Sequence, residues 1–256
     1  MNRWRILAVL SGGLILFITL LIAARLPVAA APAVIITRTV MLEPVRDTTL
    51  YQSETGAIGN GAGQYLFAGR TDSGSIRRAL LAFDLGDIPP GATVLSATLT
   101  LTMSKSIAGE TPVALHVATA DWGEGASDAA GEEGGGAIAA PGDATWLHTF
   151  FDTALWAAPG GDFDPAPSAT TPVGAVGVYT WKSRALVMDV AAWLADPATN
   201  HGWALLGDET ANTTAKRFDS RENDPANRPR LTIIYSAEAE TTFTALLPAV
   251  LGETGK

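Results

Sequence analysis

The sequence predicts an all-β sandwich with long loops, and three observations carry that expectation. Val94 to Met103 alternates with period two, Ile76 to Leu85 is apolar at nearly every position, and Gly, Pro, Asn and Asp clusters cut the rest of the chain into short apolar segments. The composition agrees, with 47% hydrophobic residues, 17% charged residues, 26 Gly and 15 Pro among 256 residues. Such a chain is neither disordered nor a helical bundle. Its length suits one large β domain.

The chain opens with Arg3 and Arg5, then runs from Ile6 to Ala24 without a charge before Arg25 and the small-residue stretch Pro27 to Ala33. This is the layout of an export signal, with Ala31-Pro32-Ala33 as a cleavage site. The apolar run is also long enough to serve as an uncleaved membrane anchor. Either way, residues 1–33 place the body, 34–236, outside the cytoplasm, secreted or at the cell surface.

In the body, Leu95, Ala97, Leu99, Leu101 and Met103 fall on one face of a strand and Ser96, Thr98, Thr100 and Thr102 on the other, so this strand covers a core on one side. Ala79, Leu81, Phe83 and Leu85 interleave with Leu80 and Ala82, which predicts a central strand covered on both sides. Asp87 to Ala92, with Pro89, Pro90 and Gly91, is a turn. Further strands are expected at 65–69, 112–119, 176–181, 184–190, 202–207, 215–220 and 230–235. Gly123 to Asp143 and Ala157 to Gly174, rich in small residues, read as long surface loops. Ala191 to Leu194, between Asp189 and Asp196-Pro197, reads as one helical turn. Residues 237–256 form a flexible tail that turns apolar at Phe243 to Leu251.

The formal net charge is -9, and loss of residues 1–33 with their three arginines makes it -12. An acidic body repels nucleic acid and anionic lipid, so a membrane enters only through an uncleaved N-terminal segment. Without Cys there is no disulfide, thiolate metal site or Cys nucleophile. His116, His148 and His201 show no metal-ligand spacing. No Gly-x-Ser-x-Gly elbow is present, and Glu124, Glu132 and Glu133 lie in glycine-rich sequence where raising a carboxyl pKa for glycosidase work is hard. A lyase built on Tyr179 or His148 has nothing that singles those residues out. The sequence therefore predicts no catalytic activity.

An ordered series of motifs resembles the DNRLRE-domain family of exported β-sandwich proteins, which is related to the family 96 carbohydrate-binding modules. The series comprises Asp47-Thr48-Thr49-Leu50, Gly59-Asn60-Gly61, Tyr65 to Gly69, Arg78 to Leu85, Ile88 to Ala92 and Ser96 to Leu101. It continues through Asp121-Trp122-Gly123-Glu124-Gly125, Asp189-Val190, Asn200 to Trp203 and Phe218-Asp219-Ser220-Arg221-Glu222 to Pro229-Arg230-Leu231. The resemblance implies a jelly roll and contact with extracellular polysaccharide or a cell surface. It supplies no particular ligand.

Six of the seven Trp fall between Trp122 and Trp203. Trp146, Trp156 and Trp181, beside loop-rich sequence, are candidate platforms on which a sugar ring would stack; the competing reading is that they plug the loops onto the sandwich. Trp122, Trp193 and Trp203 are expected in the core. Arg217 and Arg221 alternate with Phe218 and are candidate forks for the carboxylates of an acidic polysaccharide, or else they pair with acids to tie strands together. No cofactor is expected, although Asp47, Asp72, Asp162, Asp164 and Asp208 are oxygen donors of the kind calcium takes. The expectation is a non-catalytic carbohydrate-binding or surface-adhesion module; the alternative is a structural protein of the envelope or matrix with protein partners.

Overall fold

The structure, a computed structural model, describes residues 34–239; the predicted export or anchor segment and the apolar part of the tail lie outside them. Among the described residues no helix is long and apolar enough to cross a membrane.

The described residues are all-β with one α-helix. The strands are β1 (Ile35–Leu42), β2 (Arg46–Tyr51), β3 (Ile58–Gly59), β4 (Tyr65–Arg70), β5 (Ile76–Ala82), β6 (Thr93–Ser106), β7 (Thr111–Val117) and β8 (Ala137–Ile138). They continue as β9 (His148–Phe150), β10 (Ala154–Leu155), β11 (Ala169–Val173), β12 (Gly177–Lys182), β13 (Trp203–Leu206), β14 (Lys216–Asp219) and β15 (Arg230–Glu238), with helix α1 (Arg184–Ala195) between β12 and β13. All pairings among them are antiparallel. The main path runs β1-β15-β6-β14-β4-β5-β13-β7-β11, with β12 on the other edge of β6 and β2 on β5. The sheet turns its corner in β4, whose first residues pair with β14 and whose last two, Gly69 and Arg70, pair with β5. Gly69 has φ +114, and a Cβ there would lie 2.9 Å from the Thr214 carbonyl oxygen, so the corner requires glycine. Both limbs then face one core, which includes Leu66, Leu81, Leu99, Leu101, Leu115, Leu205, Phe218 and Leu231.

The two-sided reading of β5 holds. Ala79, Leu81 and Phe83 face the main core, while Leu80 and Ala82 face a second cluster with Leu50, Ala204, Trp122, Trp146 and Trp156. The alternation of β6 holds from Ala97 to Met103 but not at Leu95, which is 52% exposed. A bulge explains this: Ile234 pairs with Ser96 and Tyr235 with Val94, leaving Leu95 unmatched and turning Val94 inward.

The strand expected at 184–190 is a correction, since Arg184–Ala195 is helical. The Ser183 Oγ caps it by accepting from the Leu186 N–H at 2.9 Å, and Leu186, Val190 and Trp193 form its buried stripe at helical spacing. The 123–143 segment is a packed loop apart from the two-residue strand β8 that pairs with β3. Glu133 is buried and accepts from Asn60 Nδ2, Gln64 N and Tyr65 N at 2.9–3.1 Å, and buried Asp143 accepts from the Ser127 and Ala140 backbones. These acids satisfy backbone donors that a loop buried without ladders would leave unpaired. The final strand continues to Glu238, two residues into the expected tail.

Candidate functional site

Of the tryptophans, Trp122, Trp193 and Trp203 are in the core as expected. The platform reading of the other three is overturned: Trp146, Trp156 and Trp181 are 7%, 6% and 0% exposed. Trp181 sits between the limbs, edge-on to Phe218, its Nε1 donating to the Val113 carbonyl at 2.8 Å. Trp156 donates to the Thr145 carbonyl at 2.8 Å, and Trp146 lies under the Arg78 guanidinium, whose carbon is 5.0 Å from the ring centroid. Trp181 is an inward residue of β12 in the main core, whereas Trp146 and Trp156 cover the outer side of β5, where Leu80 and Ala82 need a cover that the loops supply as large rings.

The two arginines part company, each with an acid. Arg217 donates to Glu132 Oε2 at 2.7 Å and Ser104 Oγ at 3.1 Å, and stacks on Tyr65 with its guanidinium 3.7 Å from the ring centroid. Arg221 donates from Nη1 to Glu124 Oε2 at 2.9 Å and Glu222 Oε1 at 3.0 Å. On either side of Arg217, Lys216 and Phe218 are buried, and the Lys216 Nζ donates to the Gly109 carbonyl. Burial pushes that ammonium below its usual pKa, with Glu110 pulling the other way.

Around Arg217 the surface forms two adjoining depressions of about 250 and 210 Å³ that share Phe67, Ile107, Gly134 and Ala215. Lys105, Lys216 and Arg217 line one; Arg70 and Arg77 line the other, and the acids present are Glu132 and Asp72. Arg70 donates to the Gly74 and Glu209 carbonyls, and Arg77 to the Gly134 carbonyl while it stacks on Tyr51. Neither makes an ion pair among the described residues. The result is a shallow groove, apolar at its centre and basic at its margins, on an acidic protein. It can meet a ligand that has apolar faces and carries negative charge.

A second constellation surrounds the buried Asp47, with Glu124 and Glu222 half-buried beside it. Asp47 at the start of β2, Glu124 after Trp122 and Glu222 after β14 each offer a carboxylate oxygen within 4.8 Å of the others. The Asp47 N–H donates to Glu124 Oε1 at 2.7 Å, and the Arg221 N–H donates to Asp47 Oδ2 at 2.9 Å. Asp47 Oδ1 and Glu222 Oε2 are buried without a hydrogen-bond partner. Burial raises the Asp47 carboxyl well above its usual pKa and the Glu222 charge adds to it; burial also raises Glu124 and Glu222.

Of the other four calcium donors, Asp162, Asp164 and Asp208 cap local turns, while Asp72 accepts from Thr213. The histidines are apart: His116 bonds the Asp164 carbonyl, His148 bonds Thr145, and His201 lies 3.8 Å from Asp121. Of the groove residues, Phe67 stands in the sequence only as part of a motif, and Arg70 and Arg77 carry no local signal of a site. Their signal was available as four arginines at 70, 77, 78 and 217 in strands that a sandwich brings side by side.

No protein-family model matches this chain, and no curated protein matches it significantly.

Proposed function

We propose that this chain is an exported, non-catalytic binding module of the DNRLRE kind, with jelly-roll connectivity, whose ligand is an acidic polysaccharide held in the groove around Phe67 and Arg217. The observation that carries this reading is the gathering of Arg70, Arg77, Lys105 and Arg217 around an apolar floor on a chain of net charge -9. Uronic-acid polymers present both an apolar ring face and a carboxylate at each sugar, and such a floor with basic margins answers both. The jelly-roll connectivity is supported by the antiparallel curl with β1 and β15, first and last, side by side. The non-catalytic reading is supported by the burial of Asp47, which is 1% exposed and so does not present its carboxylate to a polymer.

The tryptophans have no part in this contact, and their burial is the specific observation that favours the alternative, a structural envelope or matrix protein. So does the outer edge of β1, where Val34, Ile35 and Met41 are exposed. Affinity electrophoresis of the protein in polygalacturonate, alginate and neutral dextran separates the two. Retardation by the acidic polymers alone, weakened about tenfold or more in a Lys105→Ala/Arg217→Ala variant of unchanged Tm, is the expected result. Free migration in all three would reject the carbohydrate reading in favour of the structural one.

A further inference from the structure

The Asp47 carboxylate is 1% exposed, and its Oδ1 has no hydrogen-bond donor. The nearest groups sharpen the difficulty. Glu222 Oε2, also buried, is likewise without a donor, and Glu124 completes the set. The cationic side chain bonded to this set is Arg221, through Glu124 and Glu222. Arg46, on the flank, is engaged by Asp121 at 2.8 Å and by the Trp122 carbonyl and ring. When all three are ionised they face one bonded guanidinium among the described residues and leave an excess of two negative charges around the buried Asp47, a cost that protonation or a bound cation compensates.

We propose that Asp47, Glu124 and Glu222 bind a divalent cation of the oxygen-preferring class, calcium. Two oxygens that share a calcium at about 2.4 Å cannot lie further apart than about 4.8 Å, and the three ligand oxygens satisfy that limit. The charge of the ion equals the excess. The donor set is all carboxylate, without the imidazole or thiolate that zinc takes, and irregular enough in its origins, from three chain segments, to suit calcium's flexible coordination over magnesium's strict octahedron. A carboxylate oxygen that accepts one N–H keeps a lone pair for a metal, so the bonds from the Asp47 and Arg221 backbones orient the ligands without using them up. The Glu124 and Glu222 side chains are 19% and 25% exposed, which gives an ion and its remaining waters a way in from the Arg221 side. Bound there, the ion ties together the start of β2, the loop after Trp122 and the exit of β14. This inference is independent of the polysaccharide reading.

The test is calcium content and thermal stability of the full chain. After equilibration with calcium and removal of free ion, about one calcium per chain is expected by elemental analysis. Tm should rise by about 5 °C or more once calcium exceeds its dissociation constant about 100-fold, because an ion that binds only the folded state stabilises it. Magnesium at the same concentration should give a smaller rise. Asp47→Asn should abolish both the bound ion and the calcium-dependent rise, whereas Asp208→Asn, in an exposed turn, should keep both. Should Asp47→Asn fail to fold, Glu222→Gln serves in its place with the same expectation. A wild-type protein that holds no calcium and melts at one temperature with calcium and with chelator would overturn the proposal, as would an equal response in wild type and both ligand variants.

Discussion

Arg78 grips Glu209 with two parallel hydrogen bonds, Nε to Oε1 at 2.8 Å and Nη2 to Oε2 at 2.9 Å, while its Nη1 donates to the Gly160 carbonyl at 2.8 Å. The same guanidinium covers Trp146, so the ring that the sequence offers to a sugar is already stacked against a cation of its own chain. Both partners are about four-fifths removed from solvent, with side-chain exposures of 16% and 21%, and an Arg of this kind is not replaced by Lys. Arg78→Ala should lower stability by about 2 kcal/mol, the residual solvent access reducing what a fully buried pair would lose. Arg78→Lys should recover less than half of it. Urea denaturation of the three proteins measures both values.

Trp156 is a structural ring in the outer cluster, hydrogen-bonded to the Thr145 carbonyl. Trp156→Ala should cost about 3 kcal/mol or more, through lost burial and the cavity left behind. Trp156→Phe keeps most of the apolar area and loses the indole donor, so it should cost about 1–2 kcal/mol. Chemical denaturation reads the difference. Equal stability of Trp156→Ala and wild type would mean that the outer face of β5 does not need this cover.

The 121–143 loop should behave as a rigid element. Gly125 has φ +72, and a Cβ there would stand 1.8 Å from Asp143 Oδ1. Gly125→Ala must therefore displace a buried carboxylate as well as adopt a left-handed backbone, at a cost of about 2 kcal/mol or more. Gly131→Ala, which meets nothing within 4 Å at φ +70, should pay the backbone cost alone, about 1 kcal/mol. A comparison of the two midpoints in urea checks the packing of this loop directly.

The helix start carries two bonds on one hydroxyl. Ser183→Ala removes the acceptor for the Leu186 N–H and the donor to the Ser168 carbonyl, and should cost about 1–2 kcal/mol. Ser183→Asp should recover only part of it, because a carboxylate caps the same N–H but cannot donate to the Ser168 carbonyl. Thermal unfolding followed by circular dichroism measures both.

Binding of an acidic polymer in the groove should fall steeply with salt. The Lys105 side chain is 55% exposed, and charges in contact with solvent are screened over about 8 Å at 0.15 M ionic strength. Affinity for polygalacturonate should therefore drop by about tenfold between 0.05 and 0.5 M NaCl. A salt-independent affinity would place the contact away from these cations.

Residue order alone carries the all-β class, the two-sided β5, the inward residues of β6 from Ala97 to Met103, the Asp87 to Ala92 turn and the burial of Trp122, Trp193 and Trp203. Each is written in a period of two or in a local turn signal, and local geometry obeys such patterns whatever the rest of the chain does. Helix α1 was within reach too, since Ser183 with Leu186, Val190 and Trp193 carries a cap and a helical stripe, but its apolar run also reads as a strand.

Where the loops lie is set by the way the sheet packs in space. The fate of Trp146 and Trp156 depended on which apolar face needed covering, and that face belongs to β5, more than 60 residues earlier in the chain. The meeting of Asp47, Glu124 and Glu222 likewise joins segments that no spacing rule connects. Burial and charge pairing are set by neighbours in space, and for residues held by long loops those neighbours are chosen by how the sheet curls.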